Sequence, residues 1–310
     1  MRRALVFPGQ GAQYVGMGVE LAERHAVARD LLAQADEVLG FSLSQIIATG
    51  PEAELTRTDI SQPAILVVSA MALAVLRTVV KPLVFDAVAG LSLGEYTALV
   101  AAGALPFREA LTLVRLRGQA MQAAAEAVPS GMVALIGADE ASAGKLCAAA
   151  ANGEVLQVAN LNSPGQVVIS GTKAACERAA ALAKDHGIRK AIALPVAGAF
   201  HSALMAPAAE RLRAALAKAP FKDPSVPVYT NVHAGPVTKA SEIPALLEAQ
   251  LTKPVRWADS VVAMKAAGIQ SFWELGPGKT LCGMITRTVT EVELRNLDAD
   301  KDVQGFATAG

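Results

Sequence analysis

Short β-like runs that alternate with longer alanine- and leucine-rich helical runs limit the fold more than any other feature of this sequence. Strands separated by helices pair in parallel, because a parallel pair needs a long crossover and a helix supplies it. Ala4 to Phe7 reads as the first strand. A helix carrying Leu66, Ser69, Leu73 and Leu76 precedes a second buried strand, Ala87 to Ala89. After a sharp turn and another helix, Phe107 to Ala127 forms a long helix closed by Pro129-Ser130-Gly131.

Between Met132 and Val196 the rhythm changes. Strand Met132 to Ile136, helix Ala141 to Ala151, strands Val155 to Asn160 and Gln166 to Ser170, helix Lys173 to His186 and strand Arg189 to Pro195 follow one another. That βαββαβ order is the pattern of a small ferredoxin-like unit inserted into a larger domain. The α/β rhythm then resumes, with strands at Val226 to Asn231 and Ser271 to Leu275. The predicted architecture is α/β: a parallel-sheet core from residues 1–128 and 197–310, and a ferredoxin-like subdomain from residues 129–196.

Composition narrows the function. Lys plus Arg and Asp plus Glu both total 28 in 310 residues, so the net field is weak and nucleic acid is disfavoured as the main partner. A hydrophobic share of 53 % against 18 % charged residues favours a packed globule, with disorder expected only in the tail from Asp298 to Gly310. Cys147, Cys176 and Cys282 form no CxxC, so neither a zinc knuckle nor a disulfide framework is indicated, and a reducing cytoplasm is expected. The run Ala4 to Phe7 is broken by Pro8 and Gly9, unlike the apolar stretch of a secretory signal. Ile60 to Leu76 and Ala191 to Ala209 are uncharged, but both contain Pro and polar residues and read as interior elements, not membrane spans.

The chemistry centres on Gly90-Leu91-Ser92-Leu93-Gly94, which follows a strand and opens a helix, the setting in which GxSxG forms a nucleophile elbow. A serine hydroxyl needs a base, and the chain has four histidines. His25 lies on an amphipathic helix and His186 at a helix end before Gly187, so neither is attractive. His233 stands in reserve, in a polar turn after Asn231. His201, in the uncharged Gly198-Ala199-Phe200-His201-Ser202, is the best candidate, weighed against a core histidine satisfied by hydrogen bonds. An oxyanion needs N–H donors. One comes from the residue after the serine, Leu93, and a second from the loop Phe7-Pro8-Gly9-Gln10-Gly11 at Gln10. Gly9-x-Gly11 also resembles the start of a dinucleotide-binding loop, but the third glycine position is Tyr14. Arg115 and Arg117 point in different directions on their helix, so one can face inward, where a bidentate grip on a carboxylate would specify an acidic acyl group. A surface arginine is the ordinary alternative.

From Val6 to about Asn296 the chain resembles the malonyl-CoA:acyl carrier protein transacylase family of bacterial fatty-acid synthesis. The resemblance is carried by Phe7-Pro8-Gly9-Gln10-Gly11, Ser61-Gln62-Pro63-Ala64, Ser92-Leu93-Gly94-Glu95, Arg117-Gly118, Asn162-Ser163-Pro164-Gly165-Gln166, Phe200-His201-Ser202, Pro254-Val255-Arg256-Trp257 and Gly276-Pro277-Gly278. It implies an α/β-hydrolase-like core, Ser92 as nucleophile, His201 as base, the backbone of Gln10 and Leu93 as oxyanion donors, and Arg117 as the carboxylate-binding residue. It further implies that Gln62 lines the acyl pocket, that the main-chain carbonyl of Gln250 orients the histidine in place of an acid, and that Asn160 and Asn162 face the cleft. Leu91 departs from the histidine common at that position, so local hydrogen bonding there should differ. Phe200 matches the malonyl-preferring pattern.

The implied activity is transfer of malonyl from malonyl-CoA to the phosphopantetheine thiol of acyl carrier protein through a malonyl-serine. No metal or redox cofactor is expected, nor a membrane partner, and a monomer is the default. The alternatives are an acyltransferase serving a polyketide synthase, a serine esterase, and a non-catalytic module that docks the carrier. Lys173, Arg189 and Lys190 are candidates for a basic patch facing an acidic carrier.

Overall fold

The parallel pairing expected of helix-separated strands is what the chain adopts. The computed structural model describes residues 1–307. Its strands are β1 (Arg3–Phe7), β2 (Ala87–Gly90), β3 (Ser130–Ile136), β4 (Leu156–Ser163), β5 (Gln166–Thr172), β6 (Lys190–Ala193), β7 (Val228–Tyr229), β8 (Pro236–Val237), β9 (Ser271–Leu275) and β10 (Glu293–Leu297). The large sheet runs β10-β9-β1-β2-β7-β8, parallel except for the short antiparallel β8. Alternate residues of β1 feed two separate cores: Leu5 and Phe7 enter one, Ala4 and Val6 the other. The sheet is therefore covered on both faces, which explains why its central strands carry no exposed side.

The Thr58–Val79 helix fills one of these cores. It is long and apolar enough to cross a membrane, yet 94 % of its apolar window is buried among the other elements. It packs along the Phe107–Ala127 helix. Pro63 lacks the N–H that would bond the Asp59 carbonyl, and the Arg115 guanidinium takes that carbonyl instead.

The small sheet runs β4-β5-β3-β6, antiparallel throughout, with the Glu140–Ala151 and Lys173–Leu182 helices in the order expected of a ferredoxin-like unit. It has its own apolar core around Leu135, Leu146 and Ile169. Its edge strand β4 is bonded to the large part through Val255, whose N–H donates to the Ala159 carbonyl at 2.8 Å and whose carbonyl accepts from Leu161 at 2.9 Å.

The structure corrects several expectations. The tail is ordered through Ala307: the Asp300–Ala307 helix buries Val303 and Phe306, and the Phe306 ring stands edge-on to Trp273 at 4.9 Å between centroids. The Asp302 carboxylate starts this segment by accepting from the N–H groups of Asp298 and Ala299. Residues 308–310 of the expected disordered stretch lie outside the described residues. The strand expected over Val226 to Asn231 shrinks to two residues, and the helix expected to reach His186 ends at Leu182, with a 3-10 turn covering Lys184–His186. His25 is not within a helix but at the joint of two, where its Nε2 lies 2.7 Å from Asp300 Oδ1.

Candidate active site

Phe7 and Gly90 are register partners, and Ala89 pairs with Tyr229, so the segments after β1, β2 and β7 leave the sheet at one edge. Ligand sites of parallel sheets form in this place, at the carboxyl ends of strands. Both elbow glycines are demanded by contact. A Cβ on Gly90 would lie 1.9 Å from the Gly94 carbonyl carbon, and one on Gly94 would lie 2.2 Å from the Phe7 carbonyl oxygen. Between them Ser92 adopts φ 53°, a left-handed conformation that costs a non-glycine residue roughly 1–2 kcal/mol. The loop after β1 runs against the elbow: a Cβ on Gly9 would sit 2.5 Å from the Leu91 carbonyl oxygen. Among the described residues no protein acceptor takes the N–H of Gln10 or of Leu93. Both donors predicted for the oxyanion thus flank the serine unused.

The base arrives from a distant part of the chain. His201, also in a left-handed conformation at φ 57°, places Nε2 at 2.8 Å from Ser92 Oγ. Its Nδ1 lies 2.7 Å from the Gln250 carbonyl oxygen. A carbonyl only accepts, so Nδ1 carries the hydrogen and Nε2 is free to take the serine proton. Burial, and then the nearby Arg117 cation, push the imidazole down to about 4, against the pull of the Gln250 carbonyl. The residue is neutral at pH 7, the state a base needs.

Arg117 is completely buried, whereas Arg115 turns the other way and pairs with Asp59 at 3.0 Å. Gly118 makes room for this: a Cβ there would lie 2.8 Å from the Thr58 carbonyl oxygen. The Arg117 guanidinium donates to Gln62 Oε1 at 2.5 Å, to Ser92 Oγ at 3.0 Å and to Gln250 Oε1 at 2.9 Å. Its Nε has no partner, and no carboxylate among the described residues forms an ion pair with it. Burial lowers its pKa, but a guanidinium stays charged. A buried cation with an idle N–H beside a nucleophile is a place for a substrate's anionic group. Gln62 completes this wall, its amide nitrogen reaching only Met121 Sδ at 3.4 Å.

Not every expected residue joins the cluster. Asn160 and Asn162 are buried in β4, but neither side chain bonds Ser92, His201 or Arg117, and Asn162 Oδ1 has no partner among the described residues. His186 and His233 make no bond to Ser92 either. Leu91 contributes only backbone, its N–H donating to the Phe7 carbonyl at 3.0 Å. Two residues of the site had not been foreseen. Asn231 Oδ1 accepts from the Ser92 N–H at 2.6 Å, and Glu95, almost fully buried, accepts from both Asn231 and Gln250. Burial lifts the Glu95 carboxyl to about 7, opposed by those two donors and by Arg117. The available signals were the polar Asn231 at a strand end and the acidic residue closing Ser92-Leu93-Gly94-Glu95.

Comparison with known proteins gives the family. The acyl transferase domain family matches residues 4–307. A malonyl CoA-acyl carrier protein transacylase of Haemophilus influenzae is 42 % identical over 306 residues, covering 98 % of this chain and 96 % of the relative. An acyl carrier protein S-malonyltransferase from Vibrio cholerae superposes with a TM-score of 0.94 at 42 % identity, over 98 % of this chain and 99 % of its own. A malonyl-transacylase solved with a type II polyketide-synthase acyl-carrier protein superposes at 0.95 with 38 % identity over the whole of both chains. With the nucleophile elbow, the imidazole and the unpaired arginine in one place, the chain belongs to the malonyl-CoA:acyl carrier protein transacylase family.

Proposed function

We propose that the chain moves malonyl from malonyl-CoA to the phosphopantetheine thiol of acyl carrier protein in two half-reactions at Ser92, supplying extender units for fatty-acid synthesis. The observation that carries this reading is Arg117, wholly buried, without an ion-paired carboxylate among the described residues and 3.0 Å from the nucleophile Oγ. His201 Nε2 takes the Ser92 proton as Oγ bonds to the thioester carbon. The negative oxygen that develops is stabilised by the N–H groups of Gln10 and Leu93. When the carbon–sulfur bond breaks, His201 returns the proton to the CoA sulfur, leaving malonyl as an ester on Ser92 and the imidazole neutral. The carrier's thiol then gives its proton to His201, attacks the ester, and the Ser92 oxygen recovers the proton. Arg117 holds the malonyl carboxylate through both halves, so the acid group is bound as strongly in the transition state as before it.

This chemistry uses side chains, backbone N–H groups and the thioester alone, and gives no step to a resident cofactor. The three cysteines are unpaired thiols, in keeping with a reducing cytoplasm. The test is a chase. Protein treated with malonyl-CoA and freed of it is mixed with holo carrier proteins from fatty-acid and polyketide systems. Malonyl appearing on the fatty-acid carrier faster than on the polyketide carrier, and faster than free malonate forms, is the expected result. Free malonate as the main product would instead identify an esterase.

A further inference from the structure

Two buried residues, Asn231 and Glu95, bond to the elbow and to Gln250. Asn231 follows β7, and its side-chain amide spans the elbow: Oδ1 accepts from the Ser92 N–H at 2.6 Å while Nδ2 donates to the Gly90 carbonyl at 2.7 Å. The Asn231 N–H donates to Glu95 Oε2 at 3.0 Å, and that same oxygen accepts from Gln250 Nε2 at 2.8 Å. Gln250 Nε2 also donates to the Ser92 carbonyl at 3.0 Å, and Gln250 Oε1 accepts from Arg117. Its main-chain carbonyl holds His201. Asn231 and Gln250 are wholly buried and Glu95 almost so.

The donor and acceptor chemistry leaves one arrangement. Glu95 Oε2 already accepts from the Asn231 N–H, and an accepting oxygen draws the NH2 end of the Gln250 amide to itself and turns the oxygen end to Arg117. Flipping that amide would set NH2 against a guanidinium and leave the carboxylate facing an oxygen. At the elbow, a left-handed serine persists only where its neighbours over-determine it, and Asn231 does so by bonding on both sides of Leu91. It also occupies the Ser92 N–H, leaving Leu93 as the elbow's free donor.

We propose that Asn231 and Glu95 are positioning residues for acyl transfer: Asn231 clamps the strained elbow, and Glu95 fixes the Gln250 side-chain amide and, through it, Arg117. The inference rests on acyl transfer at Ser92 as read above. It is tested by single-turnover malonylation of the full chain, with limiting rate and half-saturating malonyl-CoA concentration measured separately and corrected for folded fraction. Asn231→Ala should lower the limiting rate about 30-fold, the loss of a bond to a buried group, while half-saturation moves less than about threefold. Glu95→Ala should lower the rate about tenfold and also raise half-saturation, because Arg117 loses its orienting partner. Glu95→Gln, whose carbonyl still accepts from both N–H groups, should recover most of that loss. Should Asn231→Ala fail to fold, Asn231→Asp replaces it, keeping the acceptor for the Ser92 N–H but setting an oxygen in place of the donor to Gly90, and should be slowed at unchanged half-saturation. Limiting rates in the alanine or aspartate variants within about threefold of wild type, or Glu95→Gln as slow as Glu95→Ala, would overturn the proposal. Wild-type protein that takes no malonyl at Ser92 would overturn the acyl-transfer reading itself, a result that the variant comparison cannot produce.

Discussion

The two sheets of this molecule solve different problems. The small subdomain is held by an apolar core and simple local devices, such as the Asp139–Ser142 capping box that opens its first helix. The carboxyl edge of the large sheet carries Ser92 and His201 in left-handed conformations and a connected set of buried polar groups: Arg117, Gln62, Gln250, Glu95 and Asn231. Buried polar groups and backbone strain both oppose folding unless every partner is present. The contrast shows that the carboxyl edge of the large sheet bears a cost the small sheet does not, and that it depends on the geometry of residues more than a hundred positions apart, such as Ser92 and His201.

Perturbations at the two places should therefore differ in kind. His201→Ala removes the base beside Ser92 and should slow acylation by about 10²- to 10⁴-fold with little change in unfolding temperature, as stopped-flow acylation and calorimetry would show. Arg117→Ala should lower malonyl transfer about a hundredfold more than acetyl transfer, because only malonyl carries the charge that the guanidinium pairs with. Equal losses for the two acyl groups, measured by competition between the thioesters, would remove Arg117 from that role.

The pH profile sharpens the same point with a smaller effect. His201 titrates at about 4 in the folded chain instead of near its usual 6.5, so kcat/KM should hold from neutral pH down to about 5 and fall only as the base becomes protonated. Measuring the profile in Glu95→Gln as well, which lacks the carboxyl lifted to about 7, assigns the limb to the imidazole. A limb near 6.5 in both proteins would contradict the buried base. The lowered value also means that the folded state binds this proton less well than the unfolded one, so His201 contributes a loss of stability as pH falls from 6.5 toward 4. On the small sheet, Leu146→Ala should cost about 2–5 kcal/mol of stability in denaturant titrations while leaving the acylation rate of the folded fraction unchanged.

Much of this was legible in the chain. Ser92 announced itself because its flanking glycines sit between a strand and a helix, and the βαββαβ order could be read because each strand of the small sheet is a distinct apolar run. The role of Arg117 over Arg115 was open on spacing alone, since what separates them is Asp59 and the vacancy made by Pro63, which only packing reveals. Asn231 and Glu95 escaped because their meaning lies in bonds to residues 136 to 155 positions away in sequence. The edge strand β10 escaped for another reason. Its Glu293-Leu294-Arg295-Asn296-Leu297 sequence is half-buried and mostly polar, and gains strand character from pairing with β9. The last helix likewise owes its order to Phe306 meeting Trp273, a contact that no local pattern encodes.

One experiment bears on the whole account: peptide mass analysis of the protein quenched after brief exposure to malonyl-CoA. It should find a single malonyl group, as an ester on Ser92, absent from Ser92→Ala and greatly slowed in His201→Ala. A malonyl group on any other residue, or transfer to carrier thiol that continues in Ser92→Ala, would contradict it.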